Sequence, residues 1–92
     1  MNKLIIFTLH GCIHCEQFKQ KLKSESISFT EFDVDLHQEL WNEVVEQTGN
    51  ELLPAFFIKK EYTDMGPVFC PEKDFKNDDE AISIIKRYSI SG

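Results

Sequence analysis

Apolar residues occur along the chain in short blocks that alternate between two spacings. The first block, Leu4–Leu9, is a nearly continuous apolar run with β-branched residues, which is typical of a strand buried on both faces. The next block has helical spacing, because Cys15, Phe18 and Leu22 recur at i, i+3 and i+7. We therefore predict a strand followed by a helix that runs to about Lys23.

The same alternation continues through the middle of the chain. Ile27–Asp35 predicts a second strand, although Phe29 and Phe32 differ in parity, so strict alternation fails. Either a bulge or burial on both faces would explain this departure. Leu36–Thr48 predicts a second helix with an apolar stripe, and Gly49 is well placed to end it.

The last third of the chain predicts a third strand, a possible fourth strand and a terminal helix. Ala55–Lys59 is the third strand and is rich in Phe. Either Tyr62–Met65 or Pro67–Cys70 supplies the fourth strand, and prolines restrict how it pairs. Asn77–Glu80 is typical of a capped, acidic first turn. The helix then continues with four apolar residues: Ala81, Ile82, Ile85 and Tyr88.

The element order β-α-β-α-β-(β)-α predicts one α/β domain, in which a small sheet carries helices on both faces. The short crossover between the first two strands makes them parallel, with a right-handed connection. A chain of 92 residues buries only a modest fraction of its surface, so its stability must depend on a few large side chains, including its eight Phe.

Composition limits the partners and the compartment. The net charge of −6 argues against a nucleic-acid partner, because nucleic-acid binders are normally basic. No apolar run approaches the length of a membrane span, so we expect no membrane partner. The odd count of three cysteines, with no signal-peptide pattern before the first strand, favours a reducing cytoplasm over a disulfide-stapled secreted domain.

The candidate chemistry centres on Cys12 and Cys15. Side chains at this spacing lie about 5–6 Å apart at Cβ on one helical face, whereas a disulfide needs about 3.5–4.5 Å, so bridging requires a tightened first turn. Cys12 falls where unpaired N–H groups and the positive end of the helix dipole favour a reactive thiolate. In a cytosolic protein, a CxxC pair beside a βαβ pattern is typical of a thioredoxin-like redox motif.

Three segments extend this pattern beyond the two cysteines. They are CIHC at 12–15, FDVD at 32–35 and TGNELLPAFFI at 48–58. In order and approximate spacing the chain resembles a glutaredoxin of the dithiol CxxC type, within the thioredoxin-like superfamily, over roughly residues 3 to 60.

The resemblance implies a fold and an activity for a single domain of residues 1–92. The implied fold is a central mixed four-stranded sheet flanked by helices on both faces. The implied activity is thiol–disulfide exchange, with Cys12 as nucleophile and Cys15 as resolving cysteine. The substrate would be a disulfide-containing protein or a glutathionylated molecule, and we expect a monomer with no metal and no bound cofactor.

The resemblance also implies a binding surface. Pro54 is expected to be cis and to face the cysteines, the alternative being that it merely starts a strand. The Leu53 backbone would then pair with an extended peptide or with glutathione, as a small case of strand addition. Gly11 and Ile13 complete the implied substrate or glutathione site.

Departures from the family leave the electron source open. Many glutaredoxins carry Lys or Arg three residues before the first cysteine, where this chain has Leu9. Many have a Gly-Gly pair after the third strand, where this chain has Gly66 alone, in a longer segment that either holds partner contacts or is a tolerated insertion. Both glutathione and a flavoprotein such as thioredoxin reductase remain candidate electron donors.

His14 is the most informative unusual residue. Glutaredoxins commonly have an aromatic residue there, whereas the bacterial periplasmic disulfide oxidants resemble this chain in having His before the second cysteine. A partly protonated imidazole would stabilise the Cys12 thiolate and make the disulfide more oxidising, at or above about −200 to −230 mV. The alternative is a solvent-facing His with little effect.

Three further alternatives involve the cysteines. The first is a metal site formed by residue types that bind metals: His10, Cys12, His14 and Cys15, with Cys70 as a candidate addition. These residues crowd one turn, whereas zinc sites usually gather ligands from well-separated pairs. A non-catalytic module that binds a partner protein, and an iron–sulfur cluster shared between two monomers, are the others. Cys70 by itself predicts a partly buried small hydrophobe or a loop thiol.

Overall fold

The computed structural model describes residues 2–60 and 66–88 of the chain. Strands and helices alternate in the predicted order: β1 (Lys3–Thr8), α1 (Ile13–Ser24), β2 (Thr30–Asp33), α2 (Gln38–Thr48), β3 (Ala55–Lys59), β4 (Val68–Phe69) and α3 (Asp78–Lys86). Within these ranges, none of the helices combines the length and the apolar character that crossing a membrane requires.

The strands form one mixed sheet in the order β2-β1-β3-β4. β1 is parallel to β2, with Phe7 opposite Phe32, and antiparallel to β3, with Phe7 opposite Ala55. β3 pairs antiparallel with the short strand β4 at the edge. The mixed four-stranded sheet and its parallel first pair are therefore confirmed.

Both faces of the sheet are buried. Successive side chains along a strand point to opposite sides, so each inner strand contributes to two cores. Leu4 and Ile6 of β1 belong to the core formed with α1 and α3. Ile5 and Phe7 belong to the core formed with α2. The continuous apolar run of β1 thus serves two cores, and the prediction of helices on both faces is confirmed.

β2 is shorter than predicted, covering Thr30–Asp33 instead of Ile27–Asp35. Before its start, the backbone N–H of Ile27 donates to the Leu22 carbonyl at 2.9 Å, so this residue takes part in the turn that follows α1. Beyond Asp33 the chain turns towards α2. Local hydrogen bonds at both ends therefore limit the length of the strand.

The parity of the two phenylalanines near β2 is explained by burial on both faces. Phe29, just before the strand, packs against the core of α1 and α3. Phe32 packs against the core of α2, where its ring lies edge-on to Phe7 with a centroid separation of 6.1 Å. Of the two explanations, burial on both faces accounts for the pattern.

β4 comes from one of the two segments that the sequence offered. It covers Val68–Phe69, inside Pro67–Cys70, and pairs with β3. The other candidate, Tyr62–Met65, lies outside the described residues. Pro67 and Pro71 flank β4 and cannot donate to a ladder, which is tolerated because β4 is an edge strand.

Helix α2 begins two residues later than predicted, at Gln38 instead of Leu36. Leu36 instead closes a turn, in which its N–H donates to the Asp33 carbonyl at 3.0 Å. The helix ends as predicted at Gly49, whose φ of 68° is in the left-handed region that glycine adopts readily.

Helix α3 has the predicted side-chain cap. The Asn77 side-chain oxygen accepts the backbone N–H of Glu80 at 2.8 Å. The Glu80 carboxylate in turn accepts the N–H of Lys76 at 2.6 Å. These two bonds resemble a capping box and fix where the helix starts.

We predict that Asn77→Ala lowers the free energy of unfolding by about 1 kcal/mol, because one N–H of the first turn loses its acceptor. Urea denaturation of the reduced protein measures the effect. Asn77→Ser, which keeps an acceptor oxygen, is the control and should lie within a few tenths of wild type. An alanine variant as stable as the serine variant would contradict the capping role.

Candidate active site

Cys12 occupies the N-cap position of α1, where the sequence predicts it. Its backbone is extended, with φ −81° and ψ 111°, and its N–H donates to the Leu9 carbonyl at 3.1 Å. Gly11 before it has a φ of 84°, which allows the tight turn between β1 and α1. The turn therefore presents Cys12 at the end of the helix.

The Cys12 sulfur accepts a hydrogen bond from the backbone N–H of Cys15, with Sγ and N 3.2 Å apart. This N–H is one of the donors that have no partner inside the helix. The hydrogen bond and the positive end of the helix dipole both place positive partial charge beside the Cys12 sulfur. Cys12 is also partly exposed, so its sulfur is accessible for attack.

Cys15 differs from Cys12 in burial. It is fully buried, with 0% of its surface exposed. Burial raises the pKa of the Cys15 thiol to about 12, and a hydrogen bond with Cys12 adds to the rise. The pair therefore consists of one accessible sulfur and one buried sulfur that holds its proton.

The Leu53–Pro54 peptide bond is cis, as the resemblance implies. Pro54 is buried and Leu53 is half-buried, and both line a groove together with His14. Gly11 and Ile13 are exposed beside Cys12, and among the described residues neither belongs to the groove lining; Ile13 is 70% exposed. The structure thus brings three of the seven predicted site residues together in the groove and leaves four outside its lining: Gly11, Cys12, Ile13 and Cys15.

The groove has a volume of about 420 Å³. Its first wall comes from α1 and from the segment before β3: His14, Gln17, Leu52, Leu53 and Pro54. Its second wall comes from the segment after β4 and the start of α3: Pro71, Glu72, Phe75, Lys76, Asn77 and Asp78. Sequence reasoning missed the second wall as part of a site, although the cap at Asn77 and the acidic turn after it were visible.

His14 and Asp78 lie on opposite walls of the groove, and their charges interact. Burial raises the pKa of the Asp78 carboxyl and Asp79 adds to the rise, whereas His14 and Lys21 oppose it. The predicted influence of His14 on Cys12 stays a prediction.

Two residues that mark departures from the family have clear positions. Leu9 is half-buried and packs against the core of α2. At Gly66, an added Cβ would lie 2.8 Å from the Ile58 carbonyl oxygen. The segment before β4 therefore approaches β3 so closely that it requires glycine.

The third cysteine is part of the core. Cys70 is 1% exposed, and burial raises the pKa of its thiol. Its backbone N–H donates to the Asp74 carboxylate at 2.8 Å. Cys70 lies after β4, outside any strand or helix, and it is fully buried instead of partly buried as predicted. In the part of the chain that the structure describes, no three His, Cys, Asp or Glu side chains gather as metal ligands would.

The fold and the two unequal thiols together place the chain among the thioredoxin-like thiol–disulfide oxidoreductases. The structural neighbours confirm the fold. A glutaredoxin from Brucella melitensis aligns over 92% of this chain and 79% of its own, with a TM-score of 0.57 and 24% identity. NrdH-redoxin from Escherichia coli, a glutaredoxin-like protein with a thioredoxin-like activity profile, aligns over 98% and 99%, with a TM-score of 0.63 and 19% identity.

Sequence comparison gives the family. The Glutaredoxin family model matches residues 4–63, which is more than half of the chain. Glutaredoxin 3 of Escherichia coli K12 is 27% identical over 62 residues, covering 67% of this chain and 75% of that protein. The chain belongs to the glutaredoxin family, whose members act on disulfides or glutathionylated substrates.

We predict that the reduced protein loses stability as the pH rises from about 9 towards 12. The pKa of Cys15 is 9.0 without its folded environment and about 12 within it, so in this window the unfolded state binds fewer protons than the folded state. The free energy of unfolding must then fall with pH, and below this window the contribution is fully present.

Urea denaturation under reducing conditions, in steps from about pH 8 to about pH 10.5, measures this slope. Cys15→Ala is the matched variant, because it removes the thiol and leaves every other titrating group in place. Wild type should show the steeper decline. Parallel slopes for the two proteins would contradict the assignment.

Proposed function

We propose that this protein reduces protein disulfides or glutathione mixed disulfides in two steps that use Cys12 and then Cys15. In the first step, the Cys12 thiolate attacks one substrate sulfur. A Cys12–substrate bond forms, the substrate S–S bond breaks, and the departing sulfur takes a proton from solvent.

In the second step, Cys15 loses its proton to solvent and attacks the Cys12 sulfur. The Cys12–Cys15 disulfide forms, the Cys12–substrate bond breaks, and the second substrate sulfur leaves and is protonated. Two electrons have then passed from the two cysteines to the substrate. A reductant restores the dithiol before the next cycle.

The contrast in burial between the two sulfurs carries this proposal. Cys12 is accessible and accepts an amide hydrogen bond, so it suits the attack on a substrate that arrives from solvent. Cys15 is buried and protonated, so a substrate in solution does not reach it. The Cys15 sulfur reacts only after the substrate has formed a mixed disulfide with Cys12.

The groove supports a position for the rest of the substrate. Leu53 and Pro54 belong to the first wall of the groove, with residues of α1. An extended peptide or the backbone of glutathione would lie there and pair with the Leu53 main chain. On the opposite wall, Lys76 would pair with a carboxylate of such a ligand, and Glu72 and Asp78 with its amino group.

The electron donor is either glutathione or a flavoprotein such as thioredoxin reductase. The apolar Leu9 at the position where many glutaredoxins have a cation weakens the case for glutathione, whereas the charged wall of the groove favours it. An NADPH-coupled assay run separately with glutathione plus its reductase and with thioredoxin reductase decides between them. The odd count of three cysteines supports the reducing cytoplasm that we expect as its compartment.

We predict that Cys12→Ser abolishes disulfide reduction, whereas Cys15→Ser stops after the first step and accumulates mixed disulfides. The reason is that attack on substrate needs the accessible sulfur, and release needs the buried one. Mass spectrometry of each variant after reaction with a disulfide peptide measures trapping. Cys70→Ser is the control and should react as wild type. Full turnover of a dithiol-requiring substrate by Cys12→Ser would overturn the nucleophile assignment.

We predict that His14→Phe lowers the reduction potential by some tens of mV, because a tenfold change in the equilibrium constant corresponds to about 30 mV. The substitution removes a group that can carry positive charge near the reduced, thiolate-bearing form and so stabilise it. Equilibration with glutathione redox buffers, read by mass spectrometry, measures the potential. His10→Phe is the control. A wild-type potential near about −270 mV, or equal potentials for wild type and His14→Phe, would contradict a tuning role.

A further inference from the structure

A second polar cluster lies on the other side of α1 from the groove and centres on Lys19. The Lys19 ammonium lies 2.8 Å from a carboxylate oxygen of Glu16, on the same helix, and 2.9 Å from one of Glu31, in β2. Only 16% of the Lys19 side chain is exposed. Hydrogen bonds with these two carboxylates raise the pKa of Lys19, so the ammonium keeps its charge.

The Glu31 carboxylate is itself anchored to the sheet. The Thr8 hydroxyl at the end of β1 donates to the same Glu31 oxygen that Lys19 contacts, at 2.5 Å. Thr8 is 1% exposed and is the one buried polar residue among those described. Its hydrogen bond is the main reason that the pKa of Glu31 is lowered, against the opposing effect of burial.

These contacts restrain a side chain that is normally flexible. A surface lysine usually samples many rotamers, and an exposed ion pair contributes little to the stability of the fold. Here the ammonium is held between two carboxylates, one of which is fixed by a buried hydroxyl. The positive charge therefore has a defined position beside α1.

That position lies one helical turn from the resolving cysteine. Lys19 follows Cys15 by four residues, a spacing that puts the two side chains on one face with Cβ atoms about 5–6 Å apart. Burial and the hydrogen bond with Cys12 are the largest influences on Cys15 and favour the thiol, whereas the charge of Lys19 is a smaller influence and favours the thiolate.

The charged groups around α1 fall into two sets. On the α3 side, Asp78 interacts with His14 and Lys21. On the β2 side, Glu31 interacts with Lys19 and more weakly with Lys23. The groups that act on the Cys15 thiol itself are Cys12, Lys19 and the backbone of Leu9.

We propose that Lys19, held in place by Glu31 and Thr8, is a positioning residue for the second step of the reaction and stabilises the Cys15 thiolate as it forms. The inference rests on the proposed two-step function. The Cys15 proton leaves to solvent, its sulfur bonds to the Cys12 sulfur, and the substrate sulfur departs. Lys19 takes no part in bond making; its charge offsets the cost of ionising a buried thiol.

The two steps can be observed separately with the reduced protein and 5,5′-dithiobis(2-nitrobenzoate) in a stopped-flow spectrometer. Attack by Cys12 releases the first thionitrobenzoate, with a rate proportional to reagent concentration. Attack by Cys15 on the resulting mixed disulfide releases the second, with a rate independent of concentration. Both rates are measured as a function of pH.

Lys19→Gln should slow the second release about threefold near neutral pH, which is the change in thiolate fraction when the pKa of Cys15 rises by about half a unit. Its pH profile should move to higher pH, while the first release stays within about twofold of wild type. Lys19→Arg should restore most of the rate, because it keeps the charge. Glu31→Gln should show a smaller loss, because the ammonium is then less well held.

Lys21→Gln is the matched control. Lys21 lies on the same helix and is ion-paired to Asp79 of α3 at 3.1 Å, so its loss removes a comparable contact between elements. It should leave both phases unchanged. Circular dichroism and thermal unfolding of every variant check that it is folded, and Glu31→Gln tests the proposal even if Lys19→Gln does not fold.

The possible outcomes separate the two proposals. If the first release is absent from wild type, or is unchanged in Cys12→Ser, the proposed function fails. If both releases occur but Lys19→Gln does not move the pH profile of the second, or if Lys19→Arg is as slow as Lys19→Gln, the role of Lys19 is structural and this inference is overturned.

Discussion

The hydrogen bond from the Cys15 amide to the Cys12 sulfur, at 3.2 Å, is the contact on which the site depends. It exists because Cys12 is the N-cap of α1, where the first amides of the helix have no internal acceptor. A sulfur in this position takes the place that a serine or aspartate oxygen usually occupies at a helix start. Helix formation and sulfur activation therefore use the same donor.

The sheet determines where that helix starts. β1 is one of the two inner strands, buried on both faces and paired on both edges, so its end at Thr8 is fixed. The turn through Gly11 then brings Cys12 to the helix N-terminus within a few residues. A redox site of this kind needs no long loop, because a rigid strand and a short turn set the position of the sulfur.

Much of the order and extent of the strands and helices could be predicted from the sequence. Apolar spacing gave β3 without error and α1 to within one residue at its end, because both elements bury side chains at regular intervals. β1 is displaced by one residue from Leu4–Leu9, and α3 ends at Lys86, before Tyr88. The largest errors fall at the ends of β2 and the start of α2, where Ile27 and Leu36 form turn hydrogen bonds instead of regular structure. Periodicity carries no information about such bonds.

The sequence by itself determined the features that depend on near neighbours: two cysteines three residues apart share one turn, and the first of them meets the amides of the helix start. The tertiary structure alone decided the second wall of the groove and the anchoring of Lys19. Glu31 lies 12 residues from Lys19 and 23 from Thr8, so these contacts exist only once β1 and β2 have paired in one register. Spacing along a helix fixes contacts within it, whereas contacts between distant segments depend on how the whole sheet is assembled.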